Sequence, residues 1–173
     1  MVEPIQIEMA RNEQEATQLI LLSQYDPFVD VTIDELRIEG GKDVIPTQDC
    51  TVRQVGFVKT ERPEDYAVDF VGWWPDPLLS RSAMQLAPNE STPMWISIAT
   101  KRSTPVGVYR GSIEVSYRGK AVEAHGEVQI VRIPLQVTVH QPVLPDSTTV
   151  RTAFSLYEHM IDTVYSESGS MSD

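Results

Sequence analysis

The sequence is poor in the devices that hold small domains together covalently. Cys50 is the lone cysteine in 173 residues, so no internal disulfide can form and stability must come from an apolar core. A lone cysteine does not fix the compartment. Basic residues are also scarce, 14 Lys and Arg against 25 Asp and Glu, for a net charge of −11. Nucleic acid is excluded as the main partner, because its phosphates need a basic face. Adsorption to an anionic membrane surface is disfavoured for the same reason. No apolar run approaches the roughly 20 residues of a membrane-spanning helix. The start, Met1-Val2-Glu3-Pro4, has neither a basic n-region nor an apolar h-region, so no secretory leader is expected in this chain. No 20–50-residue repeat is present, which excludes a solenoid.

The composition itself is globular, 41% hydrophobic and 23% charged, with 12 prolines and nine glycines. These fall mostly between short apolar runs, the punctuation of a many-stranded β domain. Ile5, Ile7 and Met9 alternate with polar residues, which predicts a half-buried strand. A polar link, 11–15, precedes a second strand over 16–23. Val29, Val31 and Ile33 predict a third strand, which Leu36 and Ile38 continue after a bulge or break. Gly40-Gly41 is a turn. Residues 51–58 form a β-branched strand with Gly56 as a bulge site. Further strands are predicted over 94–98 and 108–117, then a tight connection at 118–120 and one long or two successive strands over 121–139. Pro134 marks a break or an edge position there.

Two stretches differ. Residues 59–93 hold Trp73-Trp74-Pro75-Asp76-Pro77-Leu78-Leu79 with Pro63, Pro88 and Pro93 around them. They read as a long irregular excursion, a kind of loop often used for function or an interface. Toward the other end, 152–156 reads as a strand, 156–165 as a short amphipathic helix and 166–173 as a frayed tail. The resulting fold class is all-β: an immunoglobulin-like, mostly antiparallel β-sandwich with a short C-terminal helix. The sandwich is assigned to 1–145. Residues 146–173 are read as a linker, strand and helix stub leading toward a further domain.

Several motifs, taken in order, carry a resemblance. They are Ala10-Arg11-Asn12-Glu13-Gln14-Glu15-Ala16-Thr17-Gln18-Leu19, Val55-Gly56-Phe57-Val58, Trp74-Pro75-Asp76-Pro77-Leu78-Leu79, and Trp95-Ile96 followed by Thr104-Pro105-Val106-Gly107-Val108-Tyr109-Arg110-Gly111. Val150-Arg151-Thr152-Ala153-Phe154 completes the set. Together they resemble the β-sandwich that precedes the catalytic barrel in glycoside hydrolase family 123 and related proteins. The resemblance implies that the chain is a piece of a longer protein whose (β/α)-barrel lies beyond the Arg-Thr-Ala-Phe segment. It implies a parent acting on N-acetylated amino sugars, with the substrate's acetamido group as nucleophile. The family's Asp-Glu pair belongs to the barrel, so no position here inherits it. Such parents are usually exported, which implies a secreted or periplasmic parent.

The residues themselves offer few sites. Trp73, Trp74 and Asp76 are the candidates for carbohydrate or interdomain contact, since exposed tryptophan stacks on sugar C–H faces. Packing or an interdomain role is the stronger reading for this segment. Trp95 is assigned to the core. Arg11, Asn12 and Glu13 are read as suppliers of turn hydrogen bonds and ion pairs. Tyr109, beside Arg110 near a strand start, is expected to hydrogen-bond back across a corner. The histidines His125, His140 and His159 match no zinc spacing, and the cluster Asp30, Asp34 and Glu35 lacks a calcium-loop pattern, so no metal and no cofactor are predicted. No G-x-S-x-G, phosphate loop or H-E-x-x-H is present, and no catalytic residue is assigned.

Three functions compete. The leading one is an accessory, non-catalytic domain packing on its own catalytic barrel, which requires an exposed apolar patch. The others are a free-standing carbohydrate-binding module and a non-carbohydrate interaction or assembly module.

Overall fold

Alternating strands with one apolar face have an economical solution, two sheets with those faces packed against each other. The computed structural model, which describes residues 3–63, 67–118 and 128–147, takes it. Its strands are β1 (Ile5–Arg11), β2 (Gln14–Leu21), β3 (Phe28–Ile33), β4 (Leu36–Ile38), β5 (Val44–Ile45), β6 (Cys50–Lys59), β7 (Trp73–Leu79), β8 (Ala83–Gln85), β9 (Thr92–Ala99), β10 (Gly107–Arg118) and β11 (Gln129–Val143). A single 3-10 turn, Thr47–Asp49, precedes β6. The larger sheet runs β1-β11-β10-β3-β8, with β4 also on β10 and β5 on β4. The smaller runs β2-β9-β6-β7. The result is a β-sandwich. Among the described strands the one parallel pairing is β1 on β11. These two are remote in sequence, so no hairpin dictates their direction.

The core is the set of inward positions. Met9, Val31, Leu36, Ile45, Tyr109, Ile113, Leu135, Val137 and Val139 come from the larger sheet, and Met94, Ile96 and Ile98 from the smaller. Each fully buried aliphatic side chain contributes about 1.5–3 kcal/mol. Leu36 and Ile38 lie in line with β3, since both strands pair with β10, at Tyr109–Arg110 and at Ile113–Arg118 respectively. The interruption passes over Gly111. A Cβ there would come within 2.6 Å of Leu36 Cδ2 and 3.2 Å of the Glu35 carbonyl, so a side chain at this position would crowd the crossing chain. Pro134 pairs with Ser112 on one side, while β1 begins its pairing with β11 at Leu135. It therefore sits at an edge, where a missing N–H costs nothing.

Two expectations are corrected. The segment 59–93 is not one irregular excursion, because β7 and β8 lie inside it. β7 keeps its prolines because it is the edge strand of the smaller sheet, where one side needs no ladder hydrogen bonds. The polar link expected over 11–15 shrinks to Asn12-Glu13, since Gln14 and Glu15 already belong to β2. As another edge strand, β2 tolerates polar residues that a central strand would not. The connection at 119–120, the strand start at 121–127 with His125, the segment 150–154, and the helix and tail with His159 lie outside the described residues.

Candidate functional site

Arg11, Asn12 and Glu13 make the corner at which the chain crosses from the larger sheet to the smaller. Asn12 has a φ of 60°, in the left-handed region, which asparagine enters more readily than most residues. The Glu13 carboxylate reaches back to accept the Ala10 N–H. Thr100, just past β9 and almost fully buried, closes the corner from the other side. Its hydroxyl accepts the Glu13 N–H at 3.1 Å and donates to the Ala10 carbonyl at 2.8 Å. Its own N–H donates to the Glu13 carbonyl at 2.8 Å.

The outward side of this corner grips the chain as it leaves β11. Arg11 Nη2 donates to the Gln141 carbonyl at 2.9 Å, and the Leu144 N–H donates to the Arg11 carbonyl at 2.9 Å. Asn12 Nδ2 donates to the Leu144 carbonyl at 2.9 Å and to Asp146 Oδ1 at 3.0 Å. Arg102 completes the clasp, its Nε 3.2 Å from Asp146 Oδ1 and its Nη2 2.7 Å from Oδ2. The hydrogen bonds from Arg102 and Asn12 hold the Asp146 carboxyl below its ordinary range. Arg11, Asn12 and Arg102 thus set the path of residues 141–146. Thr100, Arg102 and Asp146 were missed by sequence reasoning. A threonine after a strand and an aspartate in a Pro-rich exit carry no local signal.

Tyr109 is fully buried and donates its hydroxyl to the Pro105 carbonyl at 2.8 Å. Burial, aided by the Asp43 carboxylate, pushes its phenol up. Arg110 points outward and pairs with Glu39. Cys50 is half-buried, and burial with nearby Asp49 raises its thiol to about 11, so it is not a reactive thiolate. Among the described residues no group of three His, Cys, Asp or Glu side chains is placed to hold a metal ion.

Trp95 is not a core residue. Met94, Ile96 and Ile98 occupy the inward positions of β9, so strand alternation turns Trp95 to the outer face, half-buried. Its cross-strand neighbours there are Gln18 of β2 and Arg53 of β6. The outer set of the smaller sheet continues with Gln14, Ala16 and Ile20 on β2, Ser97 and Ala99 on β9, and Thr51 and Val55 on β6. Beyond Val55, opposite Leu78, a bulge sets Asp76 and Pro77 against Gly56, and Phe57 then pairs with Pro75 and Lys59 with Trp73. A Cβ on Gly56 would meet Pro77 Cγ at 2.8 Å, so the bulge depends on that glycine. Trp73 is 64% exposed, the most exposed of the three tryptophans.

Trp74 borders a hollow of about 550 Å³ lined by Thr60, Glu61, Pro63, Asp69 and Phe70 among others. Phe70 meets Trp74 edge-to-face, with ring centroids 5.4 Å apart. The neck of the 60–72 segment is tied by the Thr60 N–H donating to the Gly72 carbonyl at 2.8 Å. Trp73 and Trp74 therefore lie near the same end of the smaller sheet but serve different surroundings. Asp76, exposed in the bulge, is neither among the named lining residues of the hollow nor among the residues of the clasp.

The sandwich as a whole has counterparts of known structure. A family 123 glycoside hydrolase from Clostridium perfringens, studied for glycolipid glycan hydrolysis, superposes with a TM-score of 0.66 at 17% identity over 81% of this chain. The chain spans only 24% of that enzyme's length. Weaker likenesses are a PapD-like domain of human CEP192 (TM-score 0.43, 10% identity, 82% of this chain and 85% of that one) and the Escherichia coli CssB subunit (0.43, 11%, 78% and 94%). No curated protein sequence matches. The family model for the glycoside hydrolase 123 N-terminal domain matches residues 4–117, about two-thirds of the chain, and to that family the chain belongs.

Proposed function

We propose that this sandwich is a non-catalytic accessory domain that packs against the catalytic domain of a family 123 glycoside hydrolase and holds it in a fixed pose. The clasp carries this reading. Arg11, Asn12 and Arg102 commit side chains to residues 141–146, which lie at and beyond the end of the last strand and contribute nothing to the core. So many polar contacts on an exit segment are wasted if its direction is free, and useful if the next domain must meet the sandwich in one orientation. The parent's substrate class, N-acetylated amino sugars, is drawn from the family resemblance, and the carboxylates of its chemistry come from the catalytic domain.

The test is hydrolysis of a chromogenic N-acetyl-β-hexosaminide. This chain alone is expected to give no turnover above buffer, and a polypeptide joining it to the catalytic domain is expected to turn the substrate over. Turnover by this chain alone, abolished by substitutions within it, overturns the accessory role.

A second reading is favoured by the hollow beside Trp74, which is lined by the aromatic Phe70 and Trp74 together with the acidic Glu61 and Asp69. Sugars are held by such pairings of stacking and hydrogen bonding. Titration with N-acetylhexosamine oligosaccharides should then shift tryptophan emission, and the shift should vanish in Trp74→Ala. An unchanged spectrum at millimolar glycan removes this reading.

A further inference from the structure

The two outer faces of the sandwich differ in chemistry. On the larger sheet many outward positions are polar and carry ion pairs, Arg132 with Glu114 and Arg110 with Glu39, beside exposed Phe28 and Ile130. Such pairs are content in water. On the smaller sheet the paired outward positions among the described residues hold no carboxylate, and the acid that interrupts them is Asp76, exposed in the β7 bulge. They carry Arg53 and Lys59, amides, hydroxyls and an apolar line through Ile20, Phe57, Trp73 and Leu78, all exposed, with Trp95 half-buried among them. Few acidic groups beside exposed aromatic side chains is the composition of a protein interface rather than of free surface.

We propose that the outer face of the β2-β9-β6-β7 sheet is the docking surface for the catalytic domain of the same polypeptide, which presents carboxylates to Arg53 and Lys59 around an apolar centre that receives Phe57 and Trp73. This rests on the accessory reading above and adds the face and its charge. Charge complementarity selects the occupant: Arg53 and Lys59, set against the single bulge carboxylate of Asp76, leave the described positions of this face net positive and favour an acidic counterpart. Size agrees, because the similar family 123 enzyme has about three-quarters of its length outside the part this chain spans.

Hydroxyl-radical footprinting of the polypeptide carrying both domains tests this, in the parent and in Arg53→Glu, Trp73→Ala and, on the larger sheet, Gln136→Glu. Phe57 and Trp73 should label several-fold less in the parent than Phe57 does in either smaller-sheet variant, and Gln136→Glu should match the parent. Equal labelling of Phe57 in all four, with protection found instead on the larger sheet, overturns the face while leaving the accessory reading intact. No protection anywhere, with two independent unfolding transitions, defeats both. Protection that develops only when N-acetylhexosamine oligosaccharide is added makes the face a glycan platform and overturns the proposal.

Discussion

Thr100→Val isolates the closure of the Arg-Asn-Glu corner. The substitution keeps shape and removes the hydroxyl that accepts the Glu13 N–H and donates to the Ala10 carbonyl. The backbone bond from Thr100 to Glu13 survives, so the effect reports the side chain. Two backbone groups lose a partner. Both belong to half-buried residues, where each orphan costs about 1–2 kcal/mol, the lower part of the range. The extra buried methyl returns under about 1 kcal/mol. The net loss is then about 1.5–3 kcal/mol, a fall in Tm of roughly 4–10 °C for a chain of this length. Thermal unfolding followed by circular dichroism measures it, and Thr100→Ser should recover most of the loss. Thr51→Val, on an exposed outer position, should stay within about 0.5 kcal/mol. A Thr100→Val protein melting within a degree of the parent would refute the reasoning, because the corner would then be held without Thr100.

Asn12→Ala should cost about 1–2 kcal/mol from its left-handed backbone and the two bonds to the exit segment. Asn12→Gly should restore the backbone part only, and urea midpoints separate the two. In Asp146→Asn the fall of stability in acid should flatten below about pH 4, because a carboxyl held below its ordinary 3.8 stabilises the fold above that pH and loses the contribution as the folded form protonates. At the other extreme the sign reverses. Cys50 is raised from 9.0 to about 11 and Tyr109 is raised from 10.0, so the folded state keeps protons that the unfolded state releases, and stability should fall from pH 9 upward. Cys50→Ala should remove the first part of that fall in pH-dependent urea melts. Gly56→Ala should cost about 1–3 kcal/mol by driving a methyl into the Pro77 ring, and Pro77→Ala in the same protein should relieve part of it.

Much of the fold was legible because side-chain direction in a strand has a period of two, and the apolar sets at Ile7 and Met9, Val29 to Ile33, and Leu135 to Val139 report it directly. The same periodicity, applied strictly, would have turned Trp95 outward. Its size suggested the core, but Met94, Ile96 and Ile98 already fill the inward places. The strand in 73–79 was hidden by its prolines, which argue against a central strand but not against an edge, and a sequence does not say which strands are edges.

The sequence by itself determined the class of fold, the absence of a disulfide and the excess of acid, since all three depend on composition and local alternation. Only the tertiary structure decided which residues share a face and what grips what. Asn12 meets Asp146 across 134 positions and Glu13 meets Thr100 across 87, and no local propensity encodes such a meeting. The outer face of the smaller sheet has the same origin. Its residues come from four strands between positions 14 and 99, and they become neighbours only when strand order sets β2, β9, β6 and β7 side by side.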